Sequence, residues 1–192
     1  MNQILSWFKS CLDNKELVDK IKKIKLIITD IDGCLTDGQS FLFEDGNRSK
    51  GFSVQDGYAT VQALKSGLLI AFLTGRKDNS AKQRAEKLGI PDDMYFEGFC
   101  NGKKEKTIQI QESKNINKQE TLFFGDDFLD VQCVEQAGLF VCPQNSLFYI
   151  AHQADLIIPQ NGGFHAFRTL LDLMLYIQEK HFAQEMINQA LQ

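Results

Sequence analysis

Short apolar runs alternating with helix-length stretches constrain this chain most. LLIAFLT (68–74), DMYFE (93–97), TLFFG (121–125), LFVC (139–142) and LIIP (156–159) read as strands, and a first strand is predicted over about 24–29, ending in LIIT. Between them, residues 57–66, 79–89, 104–114 and 128–137 read as helices, three of them stopped by Gly67, Gly89 and Gly138. Asp56 is placed to cap the first of these helices. Strands alternating with helices build βαβ units, so the expected fold is α/β, a mainly parallel sheet flanked by helices. A helix covering the core edge is expected at the N-terminus, and a C-terminal helix over about 163–190. With 192 residues, 43% of them hydrophobic, one domain over 1–192 is the economical reading.

Composition excludes several classes of function. A net charge of −4 offers no field to attract nucleic acid. The five cysteines are scattered without a C-x-x-C pair, which argues against a disulfide framework or zinc site and fits a reducing cytoplasm. No apolar run approaches the roughly 20 residues that span a bilayer, and charges interrupt the N-terminal stretch too early for a secretory leader. The expected partner is a small molecule or another protein.

The polar residues cluster at predicted strand ends, where parallel sheets bind ligands. The first strand runs into DIDGCLTDG, with Asp30 and Asp32 one residue apart. LLIAFLT ends in Thr74-Gly75-Arg76, and TLFFG runs into GDDFLD, with Asp126, Asp127 and Asp130. The basic run GKKEK supplies Lys103, Lys104 and Lys106. Acids converging on one edge repel and are costly to desolvate, so a cation is required. A hard divalent ion with oxygen ligands, Mg²⁺ most simply, meets the requirement, and beside a Thr hydroxyl and a Lys it makes a phosphate site. Residues 39–54, QSFLFEDGNRSKGFSV, break the alternation. SFLF and GFSV around the turn pair Asp45-Gly46 predict a β-hairpin that could close over a substrate.

The order DxDGxLTDG, LTGR, Lys, GDDxxD resembles the haloacid dehalogenase (HAD) superfamily of phosphotransferases, whose fold is Rossmann-like. Lys103 lies 22 residues before Gly125, a spacing like that superfamily's third motif, with Lys106 as the runner-up. DIDGCLTDG, FSVQDGY (52–58), LTGRKDNSAKQRAEKLGI (73–90), GDDFLD and NGGFHAFRTLLDLML (161–175) are further similar to the 3-deoxy-D-manno-octulosonate 8-phosphate (KDO 8-P) phosphatase subfamily. That resemblance implies no large cap domain, a small hairpin flap, and a homotetramer whose neighbours help enclose each site. This chain departs from the family pattern at Phe164, His165 and Phe167 in GGFHAFRT, at Ala59, and at Cys34, which reads as a packing residue. These departures leave the identity of the sugar open.

The resemblance also implies roles. Asp30 is the expected nucleophile, forming an aspartyl phosphate, and Asp32 the general acid and base. Mg²⁺ is expected on Asp30, the Asp32 carbonyl and Asp126, with Asp127 and Asp130 orienting water ligands or Lys103. Thr74 and the Gly75 amide are expected to hold phosphate oxygens, Lys103 to neutralise the transferring group, and Arg76 and Arg84 to bind an acidic sugar. The other readings are a phosphatase for a nine-carbon sialic-acid-like sugar phosphate or another small phosphate, and a catalytically silent oligomerisation module.

Overall fold

The structure, a computed structural model, describes residues 3–46 and 48–192. Its elements run α1 (Gln3–Asp13), α2 (Lys15–Lys23), β1 (Leu26–Thr29), β2 (Phe41–Leu42), β3 (Arg48–Ser49), α3 (Val54–Lys65), β4 (Leu69–Leu73) and α4 (Asn79–Leu88). There follow β5 (Tyr95–Phe96), α5 (Lys103–Lys114), β6 (Thr121–Phe124), α6 (Phe128–Val131), β7 (Leu139–Pro143), α7 (Phe148–Ala151), β8 (Leu156–Ile158), α8 (Ala166–Ile177) and α9 (Gln184–Leu191).

The larger sheet has the order β5-β4-β1-β6-β7-β8, with every neighbouring pair parallel. All four residues of β1 and all four of β6 are buried, as strands covered on both faces must be. From β1 the chain crosses to β4 on one side and later to β6 on the other. Their carboxyl ends therefore diverge around a crevice, the position at which open α/β sheets bind ligands. Phe123 stacks on Phe140 with ring centroids 6.1 Å apart, and Phe124 meets Phe167 at 5.6 Å, tying the sheet to α8. The second sheet is only the antiparallel pair β2-β3, closed by a turn in which the Gly46 N–H donates to the Phe43 carbonyl. Among the described residues no cap domain is inserted beyond this hairpin. Nor, among them, is any helix long and apolar enough to cross a membrane.

Several expected boundaries shift, each for a local reason. GFSV is not a strand, and β3 ends at Ser49. Ser53, not Asp56, caps α3, because its hydroxyl accepts the Asp56 N–H at 3.2 Å. Asp56 lies buried inside the first turn, where its Oδ1 accepts the Arg168 N–H at the start of α8 at 2.7 Å. The N-terminal stretch is two helices, because the Asn14 side chain accepts the Leu17 N–H and starts α2 afresh. The helix expected over 128–137 shortens to α6 followed by a 3₁₀ turn at Val134–Gln136. The C-terminal helix breaks into α8 and α9 around Glu179, whose φ is 56°. There the His181 Nδ1 accepts the Ala183 N–H and its Nε2 donates to Asp172 Oδ1, both at 2.9 Å, which fixes the reversal.

Phe123 is fully buried in the centre of the sheet. Phe123→Ala is expected to lower unfolding stability by about 3–5 kcal/mol, read as a shifted midpoint in urea denaturation.

Candidate active site

Asp30 follows directly on β1, and its N–H donates to the Phe124 carbonyl at 2.9 Å, so the backbone leaves the strand in a fixed direction. The chain then turns at Gly33, with φ +91°, a conformation that suits glycine. A second reason for glycine lies across the crevice: a Cβ on Gly33 would stand 2.0 Å from Asp126 Oδ2. Asp126 can therefore reach the first acidic loop only because Gly33 has no side chain.

Lys103, the first residue of α5, extends into this cluster with its side chain 1% exposed. Its Nζ lies 3.0 Å from Asp30 Oδ1 and 2.7 Å from Asp130 Oδ1. The first contact is an ion pair, and apart from it the buried Asp30 Oδ1 has no hydrogen-bond partner among the described residues. Lys106 points elsewhere, its ammonium 5.0 Å from the centroids of Phe96 and Phe99. Asp130 is fully committed: Oδ1 to Lys103, and Oδ2 to the N–H groups of Asp126 and Asp127 at 3.0 and 3.1 Å. Asp127 caps α6, accepting the Phe128 N–H at 2.6 Å.

Thr74 is buried at the end of β4, its N–H bound to the Phe96 carbonyl. Its hydroxyl accepts the Arg76 N–H at a long 3.4 Å, and the Arg76 residue is exposed. The Gly75 carbonyl accepts from the Cys100 thiol at 3.0 Å. Arg84 lies on α4 away from the acids: its Nη2 donates to the Ser53 carbonyl at 2.9 Å and its guanidinium sits over the Phe52 ring. A Cβ on Gly57 would meet that Nη2 at 2.1 Å, so the glycine of the DGY motif admits Arg84.

Carboxylate oxygens of Asp30, Asp126 and Asp130 come within 4.8 Å of one another. Burial, reinforced by the Asp130 charge, pushes the Asp30 carboxyl up to about 7 despite Lys103. Burial and the charges of Asp30 and Asp130 push Asp126 to about 8. Burial depresses the Lys103 ammonium, but Asp30 and Asp130 more than offset this and raise it. Lys103 alone does not balance the cluster. An Asp30 oxygen that no hydrogen-bond donor satisfies, within 4.8 Å of a second carboxylate of raised pKa, is a donor set that fits a hard divalent cation.

Four contacts here escaped the sequence reading. Lys50, on the return arm of the hairpin, has a side chain 1% exposed, with Nζ 2.6 Å from Asp32 Oδ1 and 3.0 Å from Asp78 Oδ2. Asp78 also caps α4, and although burial opposes it, Ser80, Lys50 and the Ala81 N–H hold its carboxyl below the usual range. Cys34, read as packing alone, is buried but also aims its thiol at Asp126 Oδ1, 3.4 Å away. Burial, with Asp126 next, raises that thiol well above its ordinary range, so it remains a donor. The Ser53 hydroxyl lies 2.9 Å from His165 Nδ1, binding the root of α3 to the start of α8.

No protein-family model matches the chain. It is similar to the 3-deoxy-D-manno-octulosonate 8-phosphate phosphatase KdsC of Escherichia coli K12, 32% identical over 165 residues, covering 86% of each chain. The Haemophilus influenzae KdsC is 29% identical over 161 residues, 84% of this chain and 88% of the relative. Among solved structures, the phosphatase of that name from Moraxella catarrhalis, in complex with a magnesium ion, a phosphate ion and a KDO molecule, superposes with TM-score 0.83 at 28% identity. The match covers 93% of this chain and 99% of that one. The Yersinia pestis phosphatase gives TM-score 0.83 at 27% identity, over 86% and 88%.

A carboxyl with a raised folded pKa binds more protons folded than unfolded, so stability falls as pH rises across the shift. For Asp30 and Asp126 that window runs from 3.8 to about 7 and about 8. Metal-free protein is therefore expected to lose melting temperature between pH 5 and pH 8, and Mg²⁺ to restore more of it at pH 8 than at pH 5. In Asp126→Asn both trends are expected to shrink, as scanning fluorimetry would show.

Proposed function

Because the chain belongs to the KDO 8-P phosphatase family of HAD-type hydrolases, we propose that it hydrolyses the phosphomonoester of an acidic ulosonic sugar such as KDO 8-phosphate. The observation that carries this reading is the buried Asp30–Lys103–Asp130 bridge at the sheet's switch point, with Asp126 beside it. The magnesium, phosphate and KDO held by the Moraxella catarrhalis relative support the same reading.

In the proposed mechanism, an Asp30 carboxylate oxygen attacks phosphorus while the phosphorus–sugar oxygen bond breaks. Asp32 gives its proton to the leaving sugar oxygen. A water then attacks the aspartyl phosphate, Asp32 takes the water's proton, and inorganic phosphate leaves with Asp30 restored. Asp30, the Asp32 carbonyl and Asp126 would hold Mg²⁺, since both oxygens of Asp130 are already in use. The ion would supply charge neutralisation between the phosphate and Asp30. Thr74, the Gly75 N–H and Lys103 would bind the phosphoryl oxygens. Asp130 would keep Lys103 aimed and Asp127 would fix the loop start. Arg84 would act through the loop root it holds, and Arg76 at the open edge of the crevice.

The hairpin would serve as the flap, pinned to the acids through Lys50. Its Phe41, Leu42 and Phe43 are 57%, 71% and 54% exposed, an apolar tip unusual on an isolated chain. In the proposed assembly, a homotetramer of single-domain chains, neighbouring subunits would cover that tip; a cytoplasmic setting is part of the same proposal.

Asp30→Asn is expected to reduce phosphate release from KDO 8-phosphate to background. Asp32→Asn is expected to lower kcat by about 10²- to 10⁴-fold, and EDTA to abolish wild-type activity until Mg²⁺ is restored. Activity that survives in Asp30→Asn, or after chelation, would overturn the mechanism. A panel of eight- and nine-carbon ulosonic acid phosphates fixes the sugar.

A further inference from the structure

If Asp32 protonates the leaving oxygen, the sugar departs on the Asp32 side of the crevice. What lies there is specific to the hairpin and to the loop after Thr74. Lys50 joins Asp32 to Asp78, and Asp78 forms one wall of a cavity of about 440 Å³ between the hairpin and the start of α4. That volume falls within the usual range for small-molecule sites, about 300–1,000 Å³.

The charge of this cavity is uneven. Asp78 is spent: Oδ1 accepts the N–H groups of Ser80 and Ala81 at 2.9 and 3.3 Å, and Oδ2 faces Lys50. Two further cations line the cavity, Arg48 from β3 and Lys77 from the loop, with Ser80 and Gln83 as neutral polar neighbours. Neither Arg48 nor Lys77 forms an ion pair with another described residue. The cavity therefore carries two cations without an ion-pair partner among the described residues, and the Lys50–Asp78 pair links its wall to the proposed general acid.

We propose that Arg48 and Lys77 form the subsite for the carboxylate of the sugar acid, and so determine specificity for acidic over neutral sugar phosphates. The inference rests on the proposed function and deepens it. A guanidinium presents two parallel N–H donors to a carboxylate, and an ammonium beside it adds a point charge. Because Arg48 rides on the hairpin, binding the acid would also draw the flap over the substrate. Lys50, already paired with Asp32, is not free for that task.

The test compares wild type with Arg48→Ala, Lys77→Ala and the double variant on three substrates: KDO 8-phosphate, the neutral D-arabinose 5-phosphate, and an aryl phosphate. The double variant is expected to lose about 10- to 100-fold in kcat/KM on the acid, mainly through KM, with the other two substrates within about 2-fold of wild type. Arg48→Lys, which keeps the charge, is expected to retain most of the preference. Unchanged selectivity in the double variant, or a parallel loss on all three substrates, would overturn the subsite. A wild-type enzyme that does not prefer the acid over the neutral sugar phosphate would overturn the proposed substrate as well, and the two failures are distinguished by which protein shows them.

Discussion

One buried ammonium holds the reactive edge of this sheet together. Lys103 reaches Asp30 on one side and Asp130 on the other with almost none of its side chain exposed. Removing one partner of such a buried pair leaves an uncompensated charge, which is far more costly than never having buried the pair. Lys103 thus makes it possible for β1 and the loop after β6 to end in carboxylates side by side. The remaining charge, shared by Asp30 and Asp126, is what a divalent cation would complete. The same local deficit of positive charge that burdens the fold is what would draw a divalent cation to the site.

The surroundings keep that cluster in shape. Parallel pairing aligns Thr29 with Phe72 and Phe124, so the three strand ends open on one crevice. Gly33 lets Asp126 approach, while Asp130 binds the backbone of its own loop and aims Lys103. Behind the hairpin, Asp56, Ser53, His165 and Arg84 join α3, α4 and α8 through contacts between residues up to 112 positions apart. Burial pushes the Asp56 carboxyl up to about 6 even though the Arg168 N–H donates to it, so this joint belongs to the core rather than to the solvent. The hairpin is thereby rooted on a rigid base and tied to the acids at one point, Lys50.

Much of this was legible in the sequence because it is local. Strand ends carrying Asp30, Thr74 and Asp126 follow from short apolar runs with polar residues after them, and their convergence follows from parallel topology. Lys103 could be ranked over Lys106 only by spacing along the chain, whereas the structure shows one ammonium among carboxylates and the other on aromatic rings. What the sequence did not disclose are the contacts that depend on how distant segments meet. Lys50 drew no role from the sequence because hairpin register is not written in the polar run EDGNRSK. Asp56 looked like a cap because caps are the commonest local use of an aspartate before a helix, while its real partner begins a helix far along the chain. The break at Glu179 was hidden because YIQEKHFAQEMINQ keeps a helical pattern through it, and a tertiary contact from His181 to Asp172 decides the turn.

The central claim is that Asp30 and Asp126 share one divalent cation. Magnesium titration of metal-free wild type and of Asp126→Asn by calorimetry at pH 7.5 tests it most directly. The account predicts a single saturable site per chain in the wild type and none in the variant. Binding of equal affinity in both, or no binding to the wild type, would contradict it.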